Sequence, residues 1–415
     1  MAARVVSVFE HETIPIVERA PLSEEVCLTT LEAERLLLFN DTRRGFCQRV
    51  YGGVRLAQHC GIVNLQTSVL EILPKVEHMR RPGAVARARG TLLRMLHRAS
   101  RLDIAALDTV EQTPVDAPIL DVFVAAFLRC AIAQAKRGLL GRYEAHTDDL
   151  AIVRGRFDAC ANARVNHSRP HLIRCHYDEF TIDNAHNRAI RAALDTCKLW
   201  ITRSSTQHLW YETLARFGNV SSVPMSPRDV TRLSRDRTTN RYRTVLTWCE
   251  WLLALASPSL TAGHPSVVAP GLLFDMNRLF EDHVSRCEEL SAGSDMVVRR
   301  QGPQRHLAQS GDQTDVFALR PDISVWRATG DDGDDSATVL RVVDAKWKLL
   351  DPSKSDWGVS EDDVYQALAY ALRYGCGDVM LVYPETSESV LKDPPVFTVV
   401  TQNGQVLINV RVIPV

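Results

Sequence analysis

The sequence lacks paired cysteines: its ten cysteines stand at least 13 positions apart, so neither a CxxC zinc site nor a CxxC redox motif can be written. Scattered single thiols in a chain of 415 residues point to a reducing cytoplasm rather than a disulfide framework. Long apolar runs are also missing. The longest, Val122 to Leu128 and Trp251 to Ala256, fall far short of a bilayer span, and the N-terminus reaches Glu10 and His11 before a signal core can form, so neither export nor anchoring is expected. There is no GxxxxGK[ST] phosphate loop and no internal repeat. His78, His97, His167, His171 and His176 show no paired helical spacing with a carboxylate, which leaves no histidine metal motif. Net charge is lacking too, since 49 basic residues meet 50 acidic ones, and this excludes a polybasic coat or an acidic tail.

The composition that is present, 45% hydrophobic and 24% charged, belongs to a globular chain with two or three domains. The near-zero charge conceals two regions. Residues 1–260 carry 35 basic and 27 acidic side chains, and residues 261–415 carry 14 and 23. Arg228, Arg232, Arg235, Arg237, Arg241 and Arg243 form the densest basic cluster, a candidate DNA contact if it is more than a solvated helix face.

Hydrophobic periodicity predicts a multidomain α+β chain in three stretches. Residues 1–90 form a β-rich module, with strands over Arg4 to Phe9, Val54 to Leu65 and Val69 to Lys75 and a helix over Leu31 to Phe39. Residues 91–260 turn to helical spacing, in Leu92, Leu93 and Leu96, in Leu120 through Ile132, and in Ala189 through Trp200, with Asp183 and Asn184 placed to cap the last run. From 261 to 415 the order reads helix, strand, strand, helix, strand: Leu272 to Leu290, Asp315 to Trp326, Val339 to Leu349, Asp362 to Tyr374 and Val379 to Tyr383. The two central strands are joined by an acidic hairpin tip over residues 328–337.

The chemistry concentrates there. A period of two puts Leu340, Val342, Asp344 and Lys346 on one strand face, so an acid and a base emerge together from an apolar surface. Burying both without partners would cost several kcal/mol. Asp322 precedes Asp344 by 22 positions, and the hairpin would return it beside Asp344. Carboxylates brought together in this way call for a divalent cation, and hard oxygen ligands point to Mg²⁺. Glu281 on the preceding helix and Gln366 with Tyr370 on the following one complete the parts of a PD-(D/E)xK nuclease core. In that chemistry Asp322, Asp344 and Glu281 hold the metal, the metal acidifies a bound water and steadies the charge developing on phosphate, and Lys346 positions the nucleophile. The plainer alternative, an exposed ion pair at the strand end worth at most about 1 kcal/mol, leaves Asp322 and the apolar approach unexplained.

With these residues in place the chain resembles the McrC family, the nuclease subunit of McrBC-type, 5-methylcytosine-dependent restriction systems of bacteria and archaea. The likeness rests on Leu272 to Glu281, Arg320-Pro321-Asp322, Asp344-Ala345-Lys346 and Asp363 to Ala371. It extends to Val153 to Phe157, Tyr177 to Thr181, Asp183-Asn184 and Asn187-Arg188 in the middle, and to Gly61 to Val63 and Leu70 to Lys75 near the start. The resemblance implies a Mg²⁺-dependent endodeoxyribonuclease subunit that docks through its N-terminal part on an McrB-like AAA+ GTPase ring, stimulates that ring, and cuts double-stranded methylated DNA. GTP would be bound by the partner, in keeping with the missing phosphate loop. Cutting both strands would need two such sites, so pairing of two complexes is expected.

Two other functions compete with this one. A non-catalytic activator of an AAA+ ring would have a broken site, yet Asp322, Asp344 and Lys346 are all present. A stand-alone metal-dependent nuclease would need its own DNA-binding surface, for which the arginine cluster is the candidate. The long acidic tip over residues 328–337 departs from the family pattern and is expected to be solvated, pointing away from DNA.

Overall fold

The computed structural model describes residues 4–19, 25–42, 45–75, 83–99, 116–233, 236–256, 259–260, 267–268, 271–327, 338–386, 389, 392–401 and 404–415. Two compact units result, one joining residues 4–119 to 271–415 and the other made of residues 120–270. The fold is mixed α+β, as expected, with several sheets and helices.

In the first unit, Arg4–Phe9 runs parallel to Ser68–Leu73, which is antiparallel to His59–Asn64. The run expected as one strand over Val54 to Leu65 divides. Gly53–Leu56 joins a small sheet with Thr13–Val17 and Cys47–Val50, while His59–Asn64 belongs to the larger one. The larger sheet is completed by Gly271–Asp275, antiparallel to His59–Asn64. This corrects the expectation of one helix over Leu272 to Leu290. Leu272, Leu273 and Phe274 fit an extended or a helical pattern equally, and the available strand partner decides. The helix begins at Met276, where Asp275 caps it by accepting from Asn277 N at 3.0 Å. Gly61 permits the pairing: its φ is +140°, and a Cβ there would lie 2.0 Å from Leu272 O.

The second large sheet of this unit has the order Met296–Arg300, Ile323–Arg327, Val339–Ala345, Asp378–Pro384, Gly404–Ile413, Val396–Thr401. Ile323–Arg327 and Val339–Ala345 form the expected antiparallel pair. Val339–Ala345 is parallel to Asp378–Pro384, and the helix Glu361–Tyr374 makes the crossover between them. Helices cover both faces. Ala367, Tyr370 and Tyr374 of the crossover helix share a core with Val342 and Leu381, whereas Phe280 and Val284 of the helix Met276–Ser291 share one with Val343, Ala345 and Val382. The alternation of Val342 and Val343 between the two cores is the period of two read from the sequence. The strand expected over Asp315 to Trp326 is two strands. Asp315–Leu319 pairs with Arg305–Gln309 in a separate hairpin, and Pro321, with no N–H to donate, lies in the break. The strand expected over Val339 to Leu349 ends at Ala345. The acidic tip 328–337 lies outside the described residues.

The second unit holds the expected helices as Ile119–Lys136 and Ala185–Cys197. Asn184 caps the latter by accepting from Asn187 N at 3.2 Å. The Tyr242 hydroxyl donates to Asn187 Oδ1 and accepts from Leu140 N, both at 2.9 Å, so Asn187 is a buried structural tie. Arg188 grips Asp183 through two nitrogens at 2.8 and 3.0 Å. The stretch is less helical than expected, because Arg142–Leu150, Ile173–Thr181 and Arg156–Phe157 form an antiparallel sheet. Tyr143, Ile152, Val153, Phe157 and Phe180 stand exposed in and beside it. An alternation rule presumes one buried face, and this sheet has apolar residues in solvent. Of the arginine cluster, Arg228, Arg232, Arg237 and Arg243 are exposed, Arg241 donates to Gly138 O at 2.7 Å, and Arg235 lies outside the described residues. Among the described residues no helix is long and apolar enough to cross a membrane.

Candidate active site

The strand Val339–Ala345 carries its apolar face up to Asp344, which is only 3% exposed. Lys346 N donates to Val382 O at 2.8 Å, so the parallel ladder fixes the backbone one residue past the strand and sets where the lysine side chain leaves. Its Nζ lies 2.6 Å from Asp344 Oδ2 and donates to Gln366 Oε1 at 2.8 Å. Gln366 Nε2 donates to the Tyr370 hydroxyl at 3.0 Å, and that hydroxyl donates to Arg320 O at 3.2 Å. Gln366 and Tyr370, one helical turn apart, thereby tie the crossover helix to the Arg320-Pro321-Asp322 break. Asp322 Oδ2 accepts from Ala345 N at 2.8 Å, which holds this carboxylate at the end of the strand that carries Asp344.

Electrostatics bind the fifth residue to the group. Burial raises the Asp322 carboxyl, and the charges of Asp344 and Glu281 raise it further. Burial likewise raises Asp344, against the pull of Lys346 and a hydrogen bond with Asp322. Glu281 is raised by burial first, then by Asp282, Asp275 and Asp344. Burial opposes the charge of Lys346, yet Asp344, Asp363 and Asp322 outweigh it, so the ammonium keeps its proton. Asp322, Asp344, Lys346, Glu281 and Gln366 are thus one interacting cluster, drawn from two strand ends and two helices.

The cluster suits a hard cation in its donors. All three acids offer oxygen, and Asp344 Oδ2, though buried next to the ammonium, accepts no aligned hydrogen bond. As the side chains lie, no three Asp, Glu, His or Cys residues among the described ones are gathered as metal ligands. A divalent ion would require the carboxylates to turn toward a common point.

Sequence reasoning gave Asp363 no role. Its Oδ1 lies 3.4 Å from Lys346 Nζ, and its Oδ2 accepts from Lys348 Nζ at 2.9 Å and from the Tyr383 hydroxyl at 3.4 Å. Acids in a first helical turn, as Glu361, Asp362 and Asp363 are, usually serve the helix dipole, and this hid it. Its spacing of three from Gln366 was the available signal. Of the histidines passed over, His176 sits between Thr147 Oγ1 at 2.7 Å and Asp158 Oδ2 at 3.0 Å, a local structural tie; His78 lies outside the described residues.

A family model described as McrBC 5-methylcytosine restriction system component matches residues 54–384. The chain belongs to this family. The McrBC match contains all five cluster residues and Asp363. Comparison with curated proteins gave no match. Among solved structures, the chain is similar to one in the refined half-complex from the tetradecameric assembly of Thermococcus gammatolerans McrB AAA+ hexamers with bound McrC. The TM-score is 0.72 at 16% identity, covering 99% of this chain and 95% of that one. It is also similar to a chain in the cryo-EM structure of the Thermococcus gammatolerans McrBC complex, with a TM-score of 0.53 at 17% identity over 70% of this chain and 89% of that one. At these identities the likeness is one of fold.

Proposed function

We propose that this McrBC family member is the endonuclease subunit of a GTP-dependent, modified-cytosine-specific restriction complex, with a PD-(D/E)xK centre in residues 261–415. The observation that carries this reading is the convergence of Asp322, Asp344 and Lys346 at paired strand ends, with Gln366 holding the lysine. Asp322, Asp344 and Glu281 are the residues that would hold Mg²⁺. When bound, the ion would supply charge neutralisation at the scissile phosphate and an acidified water. The chain's own contribution is placement. Lys346, kept protonated, acts as a fixed positive donor toward the attacking oxygen or the phosphate rather than as a base, and Gln366 and Asp363 hold its direction. Asp322, tied to Ala345 N, cannot drift from the strand end.

A partner must supply recognition and movement. The sequence has no phosphate loop, and one neighbouring fold comes from an assembly described as McrB AAA+ hexamers with bound McrC. We extend that pairing to this chain, with an AAA+ GTPase ring as partner and double-stranded methylated DNA as substrate. The expected docking region is the N-terminal module, residues 1–90. The exposed apolar group of Tyr143, Ile152, Val153, Phe157 and Phe180 offers a further surface suited to a protein contact.

The test reconstitutes the chain with its McrB-like partner, GTP, Mg²⁺ and methylated DNA. Asp344→Asn should abolish cleavage and leave partner binding and stimulated GTP hydrolysis intact. Undiminished cleavage by that variant complex would remove the assigned site.

A further inference from the structure

Directly after Lys346 the chain lines a cavity of about 320 Å³ that the cluster above does not use. Its walls come from Glu10 and His11 after Arg4–Phe9, Lys75 after Ser68–Leu73, Trp347, Lys348 and Leu349 after Val339–Ala345, and Pro384 at the end of Asp378–Pro384. Glu10 is 2% exposed. Its Oε1 accepts from Trp347 Nε1 at 2.8 Å and from Lys75 N at 2.9 Å. Its Oε2 is buried and accepts nothing, with His11 Nε2 no nearer than 3.9 Å. A carboxylate oxygen withdrawn from water with no donor is costly, and a donor in the cavity removes that cost once the carboxylate turns to meet it.

The rim carries the opposite charge. Lys75 and Lys348 are both exposed, and Lys348 also reaches Asp363. A matching ligand must present a hydrogen-bond donor inward and negative charge outward. Free phosphate is opposed by Glu10, and a simple amine leaves the lysines unused. A nucleotide meets both demands, with the exocyclic amino group of its base and its own phosphate. The volume lies at the small end of ligand pockets, about 300 to 1,000 Å³. A paired base still shows an amino hydrogen in the major groove, but it cannot enter a cavity of about 320 Å³ with its partner base attached, so the nucleotide must be unpaired.

We propose that this cavity takes one unpaired, amino-bearing nucleotide of the DNA strand, its base toward Glu10 Oε2 and its phosphate toward Lys75 and Lys348. The strand is thereby held at the residue next to Lys346. The choice of DNA rests on the nuclease reading; the site itself rests on Glu10 and its surroundings.

The full chain is titrated in EDTA into a labelled duplex with one unpaired dC, and into the same duplex with an abasic residue at that position. The unpaired dC should bind roughly ten-fold more tightly, the worth of one hydrogen bond to a charged group. Replacing cytosine by 2-pyrimidinone, which lacks only the amino group, should lose that gain without any change to the protein. Glu10→Gln keeps an acceptor for Trp347 and Lys75 but turns an amide NH₂ toward the ligand, and should abolish the preference. Equal affinity for the dC, abasic and pyrimidinone duplexes, or a preference that survives Glu10→Gln, would overturn the proposal. Free dCMP competing as strongly as the unpaired strand would overturn the strand assignment. Cleavage is scored separately with the partner: a base preference without cleavage removes the nuclease reading and keeps the pocket, and cleavage without a preference does the reverse.

Discussion

Gln366 Oε1 accepts a 2.8 Å hydrogen bond from Lys346 Nζ, so the ammonium beside Asp344 is held from the facing helix as well as from its own strand. A lysine stem is flexible, and a positive donor lowers a barrier only where charge develops. Gln366→Ala should therefore lower the cleavage rate by about ten-fold with little change in DNA affinity, since one anchoring hydrogen bond is lost. Lys346→Met should lower it by about a hundred-fold or more, as removal of a transition-state donor does. Single-turnover cleavage with the partner separates the two. Wild-type rates in Lys346→Met would discard the role given to the lysine.

Asp322 should trade stability for function. Burial and two neighbouring acids raise its carboxyl, so its stabilising contribution is present below the ordinary carboxylate range and is lost as pH rises through the folded value. At neutral pH, Asp322→Asn removes that repulsion and should raise stability by about 1 to 2 kcal/mol, within the range typical of relieved functional strain. Mg²⁺ should raise the thermal midpoint of the wild type by ligand linkage, and should move that of Asp322→Asn much less. Equal shifts in both proteins would exclude Asp322 from the metal set.

A second pH dependence sits two residues beyond Glu281 on the same helix. His283 is fully buried, with Nε2 3.2 Å from Pro414 O. Burial pushes it down to about 4, against the help of Pro414 and with Arg98 and Arg94 adding their repulsion. Its neutral form is the folded one, so stability is complete above pH 6.5 and is lost as pH falls toward about 4. The loss can reach roughly 3 kcal/mol at 1.36 kcal/mol per unit. Urea unfolding of His283→Gln across this window should show a flatter profile than the wild type.

Phe180 is 58% exposed and packs edge-on to Tyr143, with ring centroids 5.3 Å apart. Phe180→Asp should cost no more than about 1.5 kcal/mol of stability, the worth of its aromatic pair with Tyr143. If this face meets the partner ring, binding should weaken by about ten-fold or more, as for a buried aromatic anchor. Size-exclusion and GTP-hydrolysis assays read both effects, and unaltered ring binding would return docking to residues 1–90.

The gathering of the cluster residues was legible because they sit on or beside regular elements. Alternation along Val339–Ala345 placed Asp344, and helical spacing placed Gln366 with Tyr370. The McrBC resemblance added the family, which the match over residues 54–384 bears out. What escaped was set by tertiary pairing. Leu272 to Phe274 read as helix because an isolated apolar triplet holds no record of the strand beside it, and Ile62 and Gly61 stand some two hundred positions earlier. The antiparallel sheet of Arg142–Leu150 and Ile173–Thr181 escaped because its apolar residues face solvent. Asp363 escaped because an acid that grips two lysines looks, in sequence, like any acid at a helix start.

The strand Gly271–Asp275 ties residues 271–415 to residues 4–119. It pairs with His59–Asn64 and passes straight into the helix that carries Glu281, so one end of the carboxylate cluster hangs from the N-terminal sheet. Residues 120–270 are therefore an insertion within a body that is continuous in space but split in sequence. A fragment beginning near residue 271 would strip Leu273 of its strand partner and leave the Glu281 helix without a footing, however complete its motifs.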